Sequence, residues 1–136
     1  MDRVTMEYRV PYADTDQMGV VYYGNYFTLF ERARNELMRA TGMSYKECEA
    51  QGLALPVVHA ECDYKSPAKY DDLLEVDAWV DELKGVRCKI ACEVRRKGEK
   101  QVLVKGFTVH VFVDVKTLRP IPPPKFAMAK LFNFTP

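Results

Sequence analysis

The sequence predicts an α+β domain in which one long antiparallel sheet packs around a single long helix. Three observations support this prediction. Residues 25–41 repeat their apolar side chains with a helical period, most of residues 53–115 alternates in the manner of strands, and short glycine-containing turns join those strands. The length of 136 residues fits one domain spanning 1–136.

Composition and charge exclude several classes of function. The chain is 48% hydrophobic and 29% charged, which is ordinary for a soluble globular protein. Its 20 basic and 19 acidic residues leave a net charge of +1, which gives no strong global field to hold nucleic acid or a membrane surface, although a local basic patch stays open. We expect no nucleic-acid partner and no stable membrane insertion. No apolar run approaches the roughly 18 residues of a spanning helix. The start, Met1–Thr5, lacks a signal peptide's apolar stretch, and we expect a cytoplasmic protein.

The first strand is predicted at Thr5–Pro11, where apolar and polar residues alternate. The next segment, residues 12–24, contains two glycines and several turn-prone polar residues, which predict a loop. Within it, Val20–Tyr23 is too apolar for an ordinary solvated loop. We therefore expect part of this loop to be buried.

The long helix is predicted at Asn25–Thr41. Asn25 is the predicted N-cap, and Gly42 is the predicted left-handed stop. The apolar stripe steps by three or four residues, as one face of a helix requires; it comprises Tyr26, Phe30, Ala33, Leu37 and Thr41.

Two shorter helices are also predicted. One runs over Ser44–Gln51, because Ser44 and Glu47 have the spacing of a capping box. The other is a terminal helix over Lys125–Phe134. It follows Pro120–Pro124, whose prolines cannot serve a central strand and so end the sheet.

Four long strands make up the rest of the predicted sheet. Glycine turns at 84–85 and 97–99 indicate antiparallel hairpins. Several of these strands reach ten residues or more, against a usual length of about five or six, so the sheet is long enough to wrap around the helix. The predicted strands are Pro56–Lys65, Leu73–Leu83, Val86–Arg96 and Val102–Val115.

The cysteines and histidines predict core or surface roles and no metal site. None of the four cysteines forms a C-x-x-C pair, and we expect free thiols in a reducing compartment; they are Cys48, Cys62, Cys88 and Cys92. Small buried core residues are the expected role of such thiols. His59 and His110 lack zinc-type spacing and a readable triad partner, so we expect structural or surface groups, no metal and no cofactor.

The chemistry is predicted where the loop meets the long helix. A helix start offers unpaired N–H groups and a partial positive charge, which can polarise a carbonyl oxygen. Asp14 and Asp16 precede that start by about ten residues. Either acid can act as a general base or a nucleophile if the loop folds back. The alternative is that both acids only cap turns.

These residues match a known family signature. Residues 12–26 read Tyr-x-Asp-Thr-Asp-x-x-Gly-Val-Val-Tyr-Tyr-x-Asn-Tyr, then Phe30-Glu31-x-x-Arg34 follows, and residues 63–72 read Asp-Tyr-Lys-Ser-Pro-Ala-x-Tyr-Asp-Asp. The pattern resembles the 4-hydroxybenzoyl-CoA thioesterase family, and most of all its short bacterial acyl-CoA thioesterases associated with the Tol-Pal gene cluster. The resemblance implies the hotdog fold and hydrolysis of an acyl thioester to a free acid and coenzyme A. It also implies a homodimer or homotetramer with the active site at the dimer interface.

The resemblance assigns roles to residues of the motif. Asp16 corresponds to the catalytic carboxylate, and the backbone N–H of Tyr23 corresponds to the group that polarises the thioester carbonyl. Many members of this branch carry histidine at the position of Tyr23, but a backbone donor does not depend on the side chain. Whether the carboxylate attacks directly or activates water stays open. Supporting roles fall to Asp14, Gly19, Gly24, Asn25 and Glu31.

Other assignments keep alternatives. Basic residues near strand ends contact the phosphates of coenzyme A in this family, or they form a solvated rim; the candidates are Lys65, Lys69, Lys84 and Arg87. Glu31 either orients the site or binds backbone groups of a neighbouring subunit.

The competing functions are a hotdog dehydratase, which would need a catalytic histidine near the helix, and a non-catalytic partner that binds acyl thioesters or acyl carrier protein. The acyl group is not determined by the sequence.

Overall fold

A computed structural model describes residues 3–132 of the chain. A short 3-10 turn, Tyr12–Asp14, follows the first strand. Within the described part of the chain, no helix is long and apolar enough to cross a membrane. The helices and strands are β1 (Val4–Arg9), α1 (Asn25–Ala40), α2 (Tyr45–Ala50), β2 (Leu53–Ala54), β3 (Val57–Tyr64), β4 (Leu73–Lys84), β5 (Arg87–Arg96), β6 (Val102–Val111), β7 (Val113–Asp114) and α3 (Lys125–Phe132).

The main sheet has five strands in the order β1-β4-β5-β6-β3, and every neighbouring pair is antiparallel. The glycine turns predicted between β4 and β5 and between β5 and β6 join adjacent strands of this sheet. The predicted α+β class and the predicted antiparallel hairpins are therefore confirmed.

The last predicted strand, Val102–Val115, is interrupted at Phe112. The backbone N–H of Phe112 donates to the carbonyl of Val86 at 2.8 Å, and its carbonyl accepts from Ile121 at 2.9 Å. The Phe112 side chain is fully buried. After this break the chain forms β7, which pairs with β2 in a separate two-stranded sheet. A single strand to Val115 was therefore the wrong prediction.

Helix α1 packs on the inner face of the sheet, and the core lies between them. The inner face of β4 and β5 supplies alternate apolar residues, as a half-buried sheet requires. The buried face of α1 comprises Tyr26, Leu29, Phe30, Ala33, Leu37 and Met38. At Gly106 of β6 there is no room for a side chain, because an added Cβ would lie 2.7 Å from the Phe30 ring of α1 and 2.4 Å from the Glu61 carbonyl oxygen of β3.

The ends of the helices correct one capping prediction and confirm two. Gly24 is the N-cap of α1, and Asn25 is its first residue; the Asn25 side chain donates instead to the carbonyl of Asp14 at 3.1 Å. Gly42 follows the helix with a φ of +86°, as the left-handed stop requires. The Ser44 hydroxyl accepts from the Glu47 N–H at 3.2 Å and caps α2.

The thiols and histidines occupy the structural positions expected of them. All four cysteines are free; Cys48, Cys88 and Cys92 are buried, whereas Cys62 is half-buried. Burial raises the pKa of Cys88 to about 12, so this thiol stays protonated. His110 is buried and His59 is exposed.

Candidate active site

The Asp16 carboxylate is held by a tight turn of the loop between β1 and α1. The backbone N–H of Asp16 donates to the Val20 carbonyl at 2.8 Å, and the Gly19 N–H donates to the Asp16 carbonyl at 3.0 Å. Gly19 has a φ of +77°, which favours glycine. The carboxylate oxygen Oδ1 accepts from the Met18 N–H at 2.8 Å. This bond fixes the orientation of the side chain through one oxygen.

The loop is tied to the body of the protein directly after this turn. The Val21 N–H donates to the Ala68 carbonyl at 2.8 Å, and Val20 forms a bridge with Lys69. Val21 is buried, but the Tyr22 and Tyr23 side chains are 47% and 61% exposed. The expected burial of this apolar segment is therefore found at Val21 and not at the two tyrosines.

Asp14 stabilises the loop through hydrogen bonds to the neighbouring elements. Its carboxylate accepts a hydrogen bond from the Tyr8 hydroxyl of β1. Its backbone carbonyl accepts from the Tyr22 N–H at 2.9 Å and from the Asn25 side chain. These contacts join the loop to β1 and to the start of α1.

The start of α1 leaves a backbone donor available. The Asn25 N–H bonds to the Tyr22 carbonyl at 2.9 Å, and the Tyr26 N–H bonds to the Tyr23 carbonyl at 3.3 Å. No acceptor within residues 3–132 lies against the Tyr23 N–H. The Tyr23 N–H lies with the first N–H groups of α1 at the positive end of the helix dipole. An oxygen with partial negative charge would be stabilised there.

Asp16 and Tyr23 line the same cavity, which has a volume of about 290 Å³. The walls are mostly apolar. Four of the lining residues, 64–67, lie at the end of β3 and just after it, more than forty positions along the chain from Tyr23. The lining residues are Asp16, Met18, Val20, Val21, Tyr23, Tyr26, Tyr64, Lys65, Ser66 and Pro67. Sequence reasoning assigned no role to Tyr64, Ser66 or Pro67, although the 63–72 string that matches the family contains all three.

Tyrosines form one wall of this cavity. The Tyr64 ring meets the Tyr23 ring edge-on, with centroids 6.1 Å apart, and lies 5.7 Å from the Tyr26 ring. The Tyr64 hydroxyl donates to the Tyr23 carbonyl at 3.3 Å. Burial and a hydrogen bond with the Cys62 thiol raise the pKa of Tyr64 to about 12, so the phenol stays protonated.

The basic residues named from the sequence fall into two separate groups. Lys65 lines the cavity, and Lys69 bridges to Val20 beside it. Lys84 and Arg87 lie together at the opposite end of β4, which has 12 residues and so extends about 40 Å. A single chain therefore does not bring the four cations to one site.

Glu31 lies away from the cavity. Its side chain is exposed on α1 and lines a polar cleft that also contains Arg34 and Arg39. Within one chain, Glu31 has no part in the Asp16 cavity.

Comparison with known proteins identifies the family of this chain. A family model described as the thioesterase-like superfamily matches residues 10–131. The acyl-CoA thioesterase YbgC of Haemophilus influenzae is 39% identical, with 86% of this chain and 85% of the relative covered. A DHNA-CoA thioesterase from Staphylococcus aureus has a similar structure, with a TM-score of 0.83, 32% identity, and 90% and 81% coverage. A 1,4-dihydroxy-2-naphthoyl-CoA thioesterase from Synechocystis gives a TM-score of 0.88, 26% identity, and 99% and 100% coverage.

Proposed function

The chain belongs to the thioesterase-like superfamily, with the hotdog fold and the acyl-CoA thioester hydrolase activity of that family, and we propose that Asp16 supplies its catalytic carboxylate. One observation carries this proposal: Asp16 and Tyr23 line one cavity, and the Tyr23 N–H has no hydrogen-bond partner among the described residues. A thioester carbonyl between them would meet a donor on one side and a carboxylate on the other. That is the arrangement an acyl-transfer reaction needs.

In the proposed reaction the Tyr23 N–H donates to the thioester carbonyl oxygen and stabilises the negative charge that develops there. Asp16 either attacks the carbonyl carbon or takes a proton from a water that attacks it. The carbon–sulfur bond then breaks, and coenzyme A leaves as the thiol after gaining a proton. Where water has attacked, the acyl group is released directly as a carboxylic acid. Where Asp16 has attacked, a second step follows in which water hydrolyses the mixed anhydride, releases the acid and restores the carboxylate. A well-placed donor contributes about 3–4 kcal/mol to such a step.

We propose that the active form is a homodimer or a homotetramer. β3 is an edge strand of the sheet, and its Val57 and Val58 side chains are 48% and 51% exposed. Edge strands with open hydrogen-bonding groups tend to pair with another chain. β3 ends at Tyr64, which lines the cavity, so pairing at this edge would place the site at the interface.

The proposed substrate handle is the phosphate portion of coenzyme A. Lys65 and Lys69 lie beside the cavity of their own chain, whereas Lys84 and Arg87 would have to come from another chain. Acyl carrier protein is the alternative carrier, and the same acyl group presented on each carrier would distinguish them. We place the enzyme in the cytoplasm, where reducing conditions maintain thiols such as its four free cysteines.

Substitution of Asp16 tests the proposal directly. Free thiol release is measured with acetyl-CoA, decanoyl-CoA and benzoyl-CoA, which span short, long and aromatic acyl groups. Asp16→Asn retains an oxygen that can accept from Met18, so the turn should persist while turnover falls by at least about 100-fold. Asp14→Asn is the matched control and should lose less. Near-normal turnover in Asp16→Asn, together with a loss of turnover in Asp14→Asn, would show that Asp16 is not the catalytic acid.

A further inference from the structure

We infer that Tyr64 is a positioning residue, whose hydroxyl holds the Tyr23 carbonyl and so fixes the direction of the Tyr23 N–H. The inference rests on the proposed function, because it takes that N–H as the donor to the thioester carbonyl. It adds to the site a residue from β3 that lies 41 positions along the chain from Tyr23.

The Tyr23 backbone needs a second restraint. Its side chain is 61% exposed. Its carbonyl accepts from the Tyr26 N–H at 3.3 Å, which is long for a backbone hydrogen bond. The Tyr64 hydroxyl donates to the same oxygen, also at 3.3 Å, so two long hydrogen bonds share the restraint of this carbonyl. The Tyr23 N–H shares its peptide group with the Tyr22 carbonyl, which accepts from the Asn25 N–H at 2.9 Å. Holding the Tyr23 carbonyl fixes the next peptide group, so the two restraints together limit rotation about the Tyr23 Cα and set the aim of its N–H.

Tyr64 itself is well anchored. It pairs with Val104 of β6 in the ladder, and the next two N–H groups, of Lys65 and Ser66, both donate to the Leu103 carbonyl at 2.9 and 3.0 Å. Its ring packs against Tyr23 and Tyr26. Because β3 is fixed in the sheet, the Tyr64 hydroxyl can restrain the loop at the Tyr23 carbonyl.

The hydroxyl and the ring can be separated by substitution. A role in packing alone, as part of the cavity wall, would depend on the ring, which Tyr64→Phe retains. A positioning role depends on the hydroxyl, which Tyr64→Phe removes. Tyr70 supplies the matched control, since it is similarly exposed, at 55% against 48% for Tyr64, and does not line the cavity.

The first experiment compares steady-state kinetics of Tyr64→Phe and Tyr70→Phe on the acyl-CoA of the three-member panel that the wild type hydrolyses fastest. Loss of one hydrogen bond predicts a drop of about fivefold in kcat for Tyr64→Phe. KM and melting temperature should stay close to those of the wild type, and Tyr70→Phe should match the wild type throughout. An unchanged kcat in Tyr64→Phe would overturn the inference, as would a change confined to KM.

A spectroscopic measurement tests the donor itself. The same acyl-CoA, labelled with ¹³C at its carbonyl, is bound to Asp16→Asn, which turns over slowly. The carbonyl stretch should shift to lower frequency when the Tyr23 N–H donates to it, and adding Tyr64→Phe should reduce that shift. An equal shift in both variants would overturn the inference.

The failures are distinguishable. If the wild type hydrolyses no member of the panel, the proposed function fails and the inference fails with it. If the wild type is active, Asp16→Asn is inactive and Tyr64→Phe is normal, the inference fails alone.

Discussion

Acid should destabilise this protein through His110 before most carboxylates protonate. The His110 ring is fully buried; Nδ1 lies 2.9 Å from the Leu55 carbonyl oxygen and Nε2 lies 2.7 Å from the Thr108 hydroxyl. Because a carbonyl oxygen can only accept, Nδ1 carries the proton, and the neutral ring accepts at Nε2 from Thr108. The native state therefore holds this imidazole neutral.

The size of the effect follows from the pKa. Burial, with the Arg34 cation nearby, lowers the pKa of His110 to about 4, against about 6.5 for an ordinary histidine. Below the ordinary value the unfolded chain binds the proton and the native state does not, so stability falls as pH falls. The loss is about 2 kcal/mol between about pH 8 and pH 5, and about 3 kcal/mol once pH is below both pKa values.

Urea denaturation across this pH range measures the effect, with His110→Gln and His59→Gln as the paired variants. His110→Gln should have a lower free energy of unfolding than the wild type at pH 8. Between pH 8 and pH 5 its free energy of unfolding should fall much less than that of the wild type. His59 is exposed beside Glu61, so His59→Gln is the control for replacing a histidine outside the core. A wild-type stability that is flat over this range, or a decline that persists in His110→Gln, would refute the reasoning.

Four further predictions follow from the site and the fold. Tyr23→Phe should reduce turnover less than Asp16→Asn, because the proposed donor is a backbone N–H; equal losses in thiol release would make the phenol itself essential. Gly106→Ala should lower the free energy of unfolding by about 1–3 kcal/mol, because the added Cβ meets the Glu61 carbonyl at 2.4 Å; an unchanged urea midpoint would contradict that close approach. Coenzyme A affinity, measured by calorimetry, should weaken with added salt if lysines or arginines bind its phosphates, whereas a constant affinity would exclude such contacts. Specific activity should fall on dilution below the dimer dissociation constant, and a fully active 15.7 kDa monomer in sedimentation would refute the shared site.

The elements governed by local rules were predictable from the sequence. Helix α1 follows from its apolar stripe, the strands follow from alternation, and the stop at Gly42 follows from glycine's tolerance of positive φ. The family motif likewise identified the loop and the helix start that meet in the cavity. These signals depend on residues close together in the chain, so one sequence carries them.

The exceptions depended on contacts between distant residues. Asn25 has the right side chain for an N-cap, but Gly24 takes that place because Asn25 reaches back to the Asp14 carbonyl. The break at Phe112 is set by its bonds to Val86 and Ile121. Neither contact follows from the pattern of residues within a helix or a strand.

The site shows the same division between local pattern and tertiary contact. The roles proposed for Asp16 and the Tyr23 N–H could be read from a short motif, but the Tyr64 wall could not, because 41 residues separate Tyr64 from the carbonyl it contacts. The grouping of the cations also needed the folded sheet, since β4 carries Lys84 to the end far from Lys65. Sequence patterns record which groups are present and how neighbours pack, whereas the pairing of strands and loops decides which groups meet.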